Sequence, residues 1–257
     1  MQLITSRDNA HIKAWRRLAQ ESTAYRKAGK FWLEGDHLCR AALERGVRPL
    51  QVVLSESLQA EQHARWSGVA DHVFVLPDAI FASLSGLESP ARMGFVVAWS
   101  ADNHVLPDVA TVVLDRLQDA GNVGAILRCA AAFGYRQVVA IKGTAALWSP
   151  KVLRAGMGAH FGLKLVESVN EIELVALQVP ILTTNVHEGP FLHELLRKGL
   201  LPAPCAWVFG HEGQGVSDSL MAMAQHQVRI AQPGGEESLN VSTAAAICLH
   251  ASATAGL

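Results

Sequence analysis

The chain has 257 residues, half of them hydrophobic, with 22 Lys and Arg against 23 Asp and Glu and a formal net charge of −1. That length suits two modest domains or one large one with a sizeable core. The balanced charge carries no global signature of a nucleic-acid binder, and no run is apolar enough for a signal peptide or a membrane span, so a soluble cytoplasmic protein is expected. Cys39, Cys129, Cys205 and Cys248 lie far apart without metal-type spacing. They read as free thiols in a reducing compartment, and no metal site is expected.

In chain order, residues 9–20 place Ile12, Trp15 and Leu18 at near-helical spacing with arginines between them. In the first thirty residues Arg7, Lys13, Arg16, Arg17, Arg26, Lys27 and Lys30 face only Asp8 and Glu21. That local basic patch reads either as a source of phosphate contacts or as a solvated helix face. Residues 31–33 form a short strand, 38–43 a helix ending near Gly46, 52–54 a strand, 58–66 a polar helix, 72–76 a strand stopped by Pro77, and 94–99 a last strand. Such alternation predicts a small α/β sandwich over residues 1–100. Residues 101–109 are polar, contain Pro107, and read as a linker. Apolar runs then recur at 111–115, 138–141, 163–166, 181–183, 206–209 and 228–230, mostly separated by helical stretches. They predict a mostly parallel sheet covered on both faces over 110–257.

The chain lacks the Gly-x-Gly-x-x-Gly dinucleotide fingerprint, a Walker-type phosphate loop, a Gly-x-Ser-x-Gly elbow and His-Glu-x-x-His. Dehydrogenase, nucleotide-hydrolase, esterase and zinc-protease readings therefore recede. What remains are glycine-bearing loops at strand ends, where ligands of open α/β sheets bind. One follows Leu114: Asp115-Arg116-Leu117-Gln118-Asp119-Ala120-Gly121-Asn122-Val123-Gly124, with a helix expected from about Ala125 to Phe133 and Arg128 on its first turns. That helix N-terminus, with free amides and a nearby arginine, suits a phosphate or ribose-phosphate, although Arg128 could equally be a surface residue. The second loop, Gly210-His211-Glu212-Gly213-Gln214-Gly215, closes a strand and leads to a helix near Ser217. A tight strand-to-helix turn explains its glycines equally well. The third loop follows Ile230, turns at Pro233-Gly234-Gly235, and passes through Ser238-Leu239-Asn240-Val241-Ser242 into an alanine-rich helix capped by Ser238 or Asn240.

In this order the three segments resemble the three motifs of the SpoU/TrmH-type RNA 2′-O-ribose methyltransferases of the SPOUT class. The resemblance is strong over roughly 110–257. Residues 1–100 are similar only in pattern to the family's L30e-like substrate-binding domain. The resemblance implies an α/β fold whose C-terminal parallel-sheet domain carries a deep trefoil knot, with a smaller N-terminal α/β domain. It implies S-adenosylmethionine bent into the knotted loops, with cofactor contacts at Thr183, Thr184, Gly210, Glu212, Gly213, Ile230, Leu239 and Asn240. Asn122, Arg128, Glu212, Ser238 and Asn240 match the family's polar catalytic positions. The basic start and Arg128 become candidate RNA contacts.

The implied reaction is in-line attack of a ribose 2′-hydroxyl on the sulfonium methyl. A guanidinium with a pKa above about 12 is a poor base, so Arg128 is expected to clamp the adjacent phosphate while Asn240 and Ser238 orient the hydroxyl. Glu212 is expected to hold the site in shape or to pair with Arg128. Family enzymes are usually homodimers through the knotted domain, and the accessory domain favours ribosomal over transfer RNA. A non-catalytic RNA-binding protein on the same fold and a nucleotide-dependent oxidoreductase are the competing classes. The family usually has proline where Ala120 stands, and commonly Pro-Met where this chain has Ala231-Gln232. Those departures bear on cofactor affinity.

Overall fold

The protein is described from a computed structural model covering residues 1–66, 68–234 and 238–255, without the side chains of residues 63 and 64. The chain divides into two compact units, one of 1–101 with 148–161, the other of 102–147 with 162–257.

The first unit begins with β1 (Gln2–Leu3), α1 (Ala10–Gln20), α2 (Ala24–Ala28), β2 (Lys30–Glu34) and α3 (Asp36–Glu44). It continues with β3 (Gln51–Ser55), α4 (Glu56–Trp66), β4 (His72–Leu76), α5 (Asp78–Ala82) and β5 (Met93–Ala98). The strand order is β1-β4-β3-β5-β2, with β5 antiparallel to both β2 and β3. Helix α1 starts where the Asn9 side chain accepts the His11 amide at 2.8 Å. Its Ile12, Trp15, Leu18 and Ala19 share one buried face and meet Phe74, Leu76 and Phe81 in the core. Residues 24–28 and 78–82 are short helices beyond those anticipated. The unit also takes in α7 (Pro150–Gly156), preceded by Trp148 against Phe31 with ring centroids 4.7 Å apart.

The second unit carries β6 (Thr111–Asp115), α6 (Ala120–Ala132), β7 (Gln137–Ile141), β8 (Lys164–Val169), β9 (Ile181–Thr184), α8 (Leu192–Arg197), β10 (Ala206–Gly210), α9 (Asp218–Met223), β11 (His226–Val228) and α10 (Val241–Thr254). Its six strands run in the order β11-β9-β10-β6-β7-β8, and every pair is parallel. The continuous apolar runs seen in the sequence are what a sheet buried on both faces needs; all five residues of β6, β7 and β10 are buried. Residues 101–109 form no helix or strand, and from Asp102 they belong to this unit. There Leu106 exchanges two hydrogen bonds with the Gln137 side chain, at 2.8 and 3.1 Å.

Three expected boundaries shift, and one of them is β8, which runs to Val169 where the sequence suggested 166. Helix α6 begins at Ala120, not Ala125, because the Asp119 carboxylate accepts the Asn122 amide at 2.7 Å and caps the helix despite its two glycines. Arg128 therefore sits on the third turn, not the first. The last strand ends at Val228, and Arg229 forms only an isolated bridge with Phe191. The expected Pro233–Gly235 turn lies partly outside the described residues, at Gly235.

Candidate functional site

From β6 the chain steps outward to β7 and β8, then crosses to build β9, β10 and β11 on the other side. The order therefore reverses between β6 and β10, and the crevice beyond the carboxyl ends of those two strands is the expected ligand site. Asp115 and Gly210, the last residues of β6 and β10, are register partners there.

The loop after β10 is folded tightly onto the strand end. A Cβ on Gly210 would overlap the backbone of Gly215 and Val216, so only glycine lets the chain double back here. His211 shapes the turn, its Nδ1 accepting the amides of Gly213 and Gln214 at 3.0 and 3.3 Å. The turn presents Glu212 to the start of α6. Glu212 Oε2 accepts the Gln118 amide at 3.2 Å, and Oε1 accepts the Asp119 amide at 3.1 Å and Asn122 Nδ2 at 3.2 Å. Partial burial alone would push its carboxyl pKa up; the donors on it outweigh that and hold it below the ordinary value.

Asn122 then accepts from Asn240 Nδ2 at 3.1 Å. Asn240 caps α10, its Oδ1 accepting the Ser242 amide at 2.9 Å, the Ser242 hydroxyl at 2.6 Å and the Thr243 amide at 3.4 Å. Both ends of this relay fix its orientation. A carboxylate can only accept, so Asn122 turns its Nδ2 to Glu212. Backbone amides can only donate, so Asn240 turns its Oδ1 to α10. The two requirements agree at the middle bond. Each asparagine keeps one amide N–H beyond these bonds. The free N-terminus anticipated for α6 is thus already occupied by the carboxylates of Asp119 and Glu212.

A cavity of about 780 Å³ opens beside the relay, lined by Thr184, Gly210, Glu212, Gly213, Ile230, Ser238, Leu239 and Asn240 among others. Thr183 is fully buried in β9 and does not line it. Asn122 reaches the site through its bonds to Glu212 and Asn240. Arg128 is exposed on α6 and joins none of the ion pairs among the described residues. A Glu212–Arg128 pair is not formed.

Sequence reasoning missed one wall, residues 185–188, which follows β9 directly; the strand-end rule that selected the other loops would have selected it. Asn185 Oδ1 accepts the amides of His187 and Glu188 at 2.8 and 3.3 Å, and its Nδ2 donates to Gln227 Oε1 at 2.7 Å. A Cβ on Gly189 would overlap the Gln227 carbonyl, so this loop lies hard against β11. Another unforeseen feature is a clamp on buried Asp115. Its carboxylate takes Arg116 Nε at 2.7 Å and the Ser217 amide at 2.7 Å, and Arg116 also donates to Gln214 at 3.2 Å. The clamp fixes the loop that bears Glu212 to the end of β6.

In the first unit, Arg16 is half-buried and donates to the Ser83 carbonyl and hydroxyl at 3.2 and 3.1 Å. The Arg26 guanidinium lies 5.5 Å from the centre of the Tyr25 ring. Lys13 pairs with Asp8 at 3.5 Å and Arg17 with Glu21 at 2.9 Å. Arg7 and Lys27 are exposed, and Lys30 is half-buried. No helix among the described residues is long and apolar enough to cross a membrane.

Fold and cleft together are those of an α/β protein whose cavity opens at a strand-order switch point, walled by glycine-bearing loops and side-chain amides. Residues 110–250 match the SpoU rRNA methylase family, and residues 9–94 match the MRM3-like substrate-binding domain. The chain is 26% identical to the 23S rRNA (guanosine(2553)-2′-O)-methyltransferase RlmP of Bacillus subtilis, covering 97% of this chain and 98% of that one. A TrmH-family RNA methyltransferase structure from Porphyromonas gingivalis is 29% identical, with a TM-score of 0.81 over 95% of this chain and 97% of that one. The SpoU methyltransferase AviRb of Streptomyces viridochromogenes, solved with AdoMet, shares the fold at 22% identity, with a TM-score of 0.80 over 95% and 97% of the two chains. The protein belongs to the SpoU rRNA methylase family and is an RNA 2′-O-methyltransferase.

Proposed function

We propose that this protein methylates a ribose 2′-hydroxyl of ribosomal RNA, using S-adenosylmethionine held in the cleft between the ends of β6, β9 and β10. The observation that carries this reading is the Glu212–Asn122–Asn240 relay beside the cavity. The cavity fits the cofactor. Its volume is within the roughly 300–1,000 Å³ of small-ligand sites, and Ile230, Leu239 and Met221 supply apolar wall. Gln232 Oε1 is buried there without a hydrogen-bond partner. That acceptor suits an amino group on a bound ligand.

S-adenosylmethionine supplies an electrophilic methyl group. The protein supplies position. The remaining amide N–H of Asn122 and of Asn240 can donate to the ribose or its phosphate, and Ser238 stands at the same wall. None of the three is a base at neutral pH, so the hydroxyl proton leaves to phosphate or water. Arg128 clamps the phosphate beside the target ribose. It lies six residues beyond Asn122, about 120° round the helix and about 9 Å along it, so its site is shared with a second copy in a homodimer. A deep trefoil knot in the C-terminal domain is proposed on the family resemblance. The cytoplasm is the proposed compartment.

The test is transfer of labelled methyl to unmodified ribosomal and transfer RNA in parallel, with Asn240→Ala as control. Alkali-resistant label in ribosomal RNA alone, lost in the control, is the expected result. Label in transfer RNA alone reassigns the substrate. Cofactor binding with no label in either RNA points to a non-catalytic RNA-binding protein.

A further inference from the structure

The seven cations of the first thirty residues are not equivalent. Arg16 and Arg26 are engaged within the fold, by Ser83 and Tyr25. Lys13, Arg17, Lys27 and Lys30 instead surround one concavity of about 340 Å³, formed by α1, α2 and the start of β2. The rest of its lining is Ala14, Leu18, Ala24 and Ala28. The two ion pairs at the rim, Lys13–Asp8 and Arg17–Glu21, are exposed; such pairs contribute little and exchange readily for a stronger anion. Lys27 and Lys30 take part in none of the ion pairs among the described residues.

This is an aliphatic floor within a cationic rim. A duplex could bring phosphates to the rim but has no free base face for the floor. An unstacked nucleotide satisfies both at once. The size agrees, since about 340 Å³ is near the lower end of small-ligand pockets, enough for a single base. The floor side chains offer no hydrogen-bonding group to read a base edge, and the Arg17 guanidinium offers a plane on which any base can stack.

Resting on the reading of the substrate as RNA, we propose that this concavity holds one unstacked nucleotide of the substrate. Its base lies against Ala14, Leu18, Ala24 and Ala28, and its flanking phosphates on Lys13, Arg17, Lys27 and Lys30. The contact is sequence-tolerant and selects single-stranded or bulged RNA.

The test uses the full chain and short fluorescent RNAs, one single-stranded and one duplex, with anisotropy followed against salt. Ala14→Leu with Ala28→Leu fills the floor without changing charge. It is expected to weaken single-strand binding about tenfold and to leave the salt slope unchanged. Lys27→Ala with Lys30→Ala is expected to flatten that slope by about 1.4, at about 0.7 for each phosphate left without its cation. A 2-aminopurine in the single strand is expected to brighten on binding to the unsubstituted protein, a readout that needs no variant. Unchanged affinity in the filled variant, equal affinity for duplex and single strand, or a silent 2-aminopurine overturns the proposal. If S-adenosylmethionine binding and methyl transfer persist in that case, only the nucleotide pocket is refuted. Absence of both RNA binding and methyl transfer in the unsubstituted protein overturns the methyltransferase reading as well.

Discussion

Glu212→Gln is nearly isosteric and tests the relay directly. In the native site Oε1 accepts from Asp119 and Asn122 and Oε2 accepts from Gln118. A glutamine keeps one acceptor oxygen, and its NH2 faces at least one donor. Hydrogen bonds to a charged group contribute about 1.5–3 kcal/mol where buried. Glu212 is exposed at the cleft mouth, so the loss is discounted to about 1–2 kcal/mol in all. For a protein of this size that lowers Tm by about 2–8 °C, measured by calorimetry. The larger consequence concerns orientation. If the glutamine turns its NH2 toward Asn122, two donors face each other, Asn122 rotates, and its bond from Asn240 goes too. Misplacing a positioning group costs up to about 100-fold in rate, so kcat for methyl transfer is expected to fall about 10- to 100-fold. Affinity for S-adenosylmethionine, proposed to rest mainly on backbone and apolar wall, is expected to change less. A Glu212→Gln protein with native Tm and native kcat refutes the reasoning.

Asn122→Asp places a second carboxylate 3.2 Å from Glu212; the pair then retains a proton whose folded-state pKa is raised. A raised pKa gives stability present below the unfolded value and lost as pH rises through the folded one, so Tm relative to the native protein should be nearest normal at acid pH and fall towards neutrality. Glu212 in the native protein has the opposite sign: its lowered pKa stabilises above the ordinary carboxylate value of 4.5 and that contribution disappears as pH falls below it, which acid titration of Tm for native and Glu212→Gln protein checks. Asn240→Ala removes the α10 cap and should cost about 0.5–2 kcal/mol, while Asn240→Asp keeps the cap and loses the donor to Asn122, so denaturant melts should separate the two and methyl transfer should fail in both. Gln232→Met relieves a buried unpartnered acceptor, worth about 1–3 kcal/mol; it should raise the Tm of the ligand-free protein and weaken S-adenosylmethionine in titration calorimetry, and a tighter complex would sink the assignment. Mixing inactive Arg128→Ala and Asn240→Ala proteins should restore about a quarter of native activity if sites are shared across a homodimer, and none if each chain works alone.

Much of the second unit could be read from the sequence because its signals are local. Continuous apolar runs are forced by a sheet covered on both faces, and β6, β9 and β10 fall within a residue or so of the runs that announced them. The strand-end rule pointed to loops that line the cavity, and of the two caps the sequence offered for the alanine-rich helix, Ser238 or Asn240, the structure uses Asn240. What failed was non-local. Gly121 and Gly124 made the start of α6 look like loop, and the carboxylate that satisfies the amides just before it comes from Glu212, some ninety residues later. The Asp115–Arg116–Ser217 clamp joins two strand ends that periodicity cannot pair. The inclusion of residues 148–161 in the first unit has no signature in composition or spacing, nor does the sorting of seven cations into two engaged within the fold, four that ring a concavity and Arg7, exposed outside both groups.

The relay also constrains what the chemistry can be. Its two asparagines offer donors, while its one carboxylate, Glu212, is engaged by Gln118, Asp119 and Asn122 and held below the ordinary carboxylate pKa, so the wall is better suited to orienting a hydroxyl or holding a phosphate than to taking a proton. A nucleophile activated here must release its proton as the methyl is transferred, which places the demand on geometry and on charge near the phosphate. The positive charge the sequence assigns to that task, Arg128, is not on the relay's face of α6. It stands with Gly121 and Ala132 on the exposed side of the helix, where small residues permit close approach. A body lying across that side would bring the guanidinium and a relay together. In the homodimer we propose, a second copy would do so reciprocally, its relay meeting the first chain's arginine, so that one exposed arginine and one relay from each chain make two complete sites.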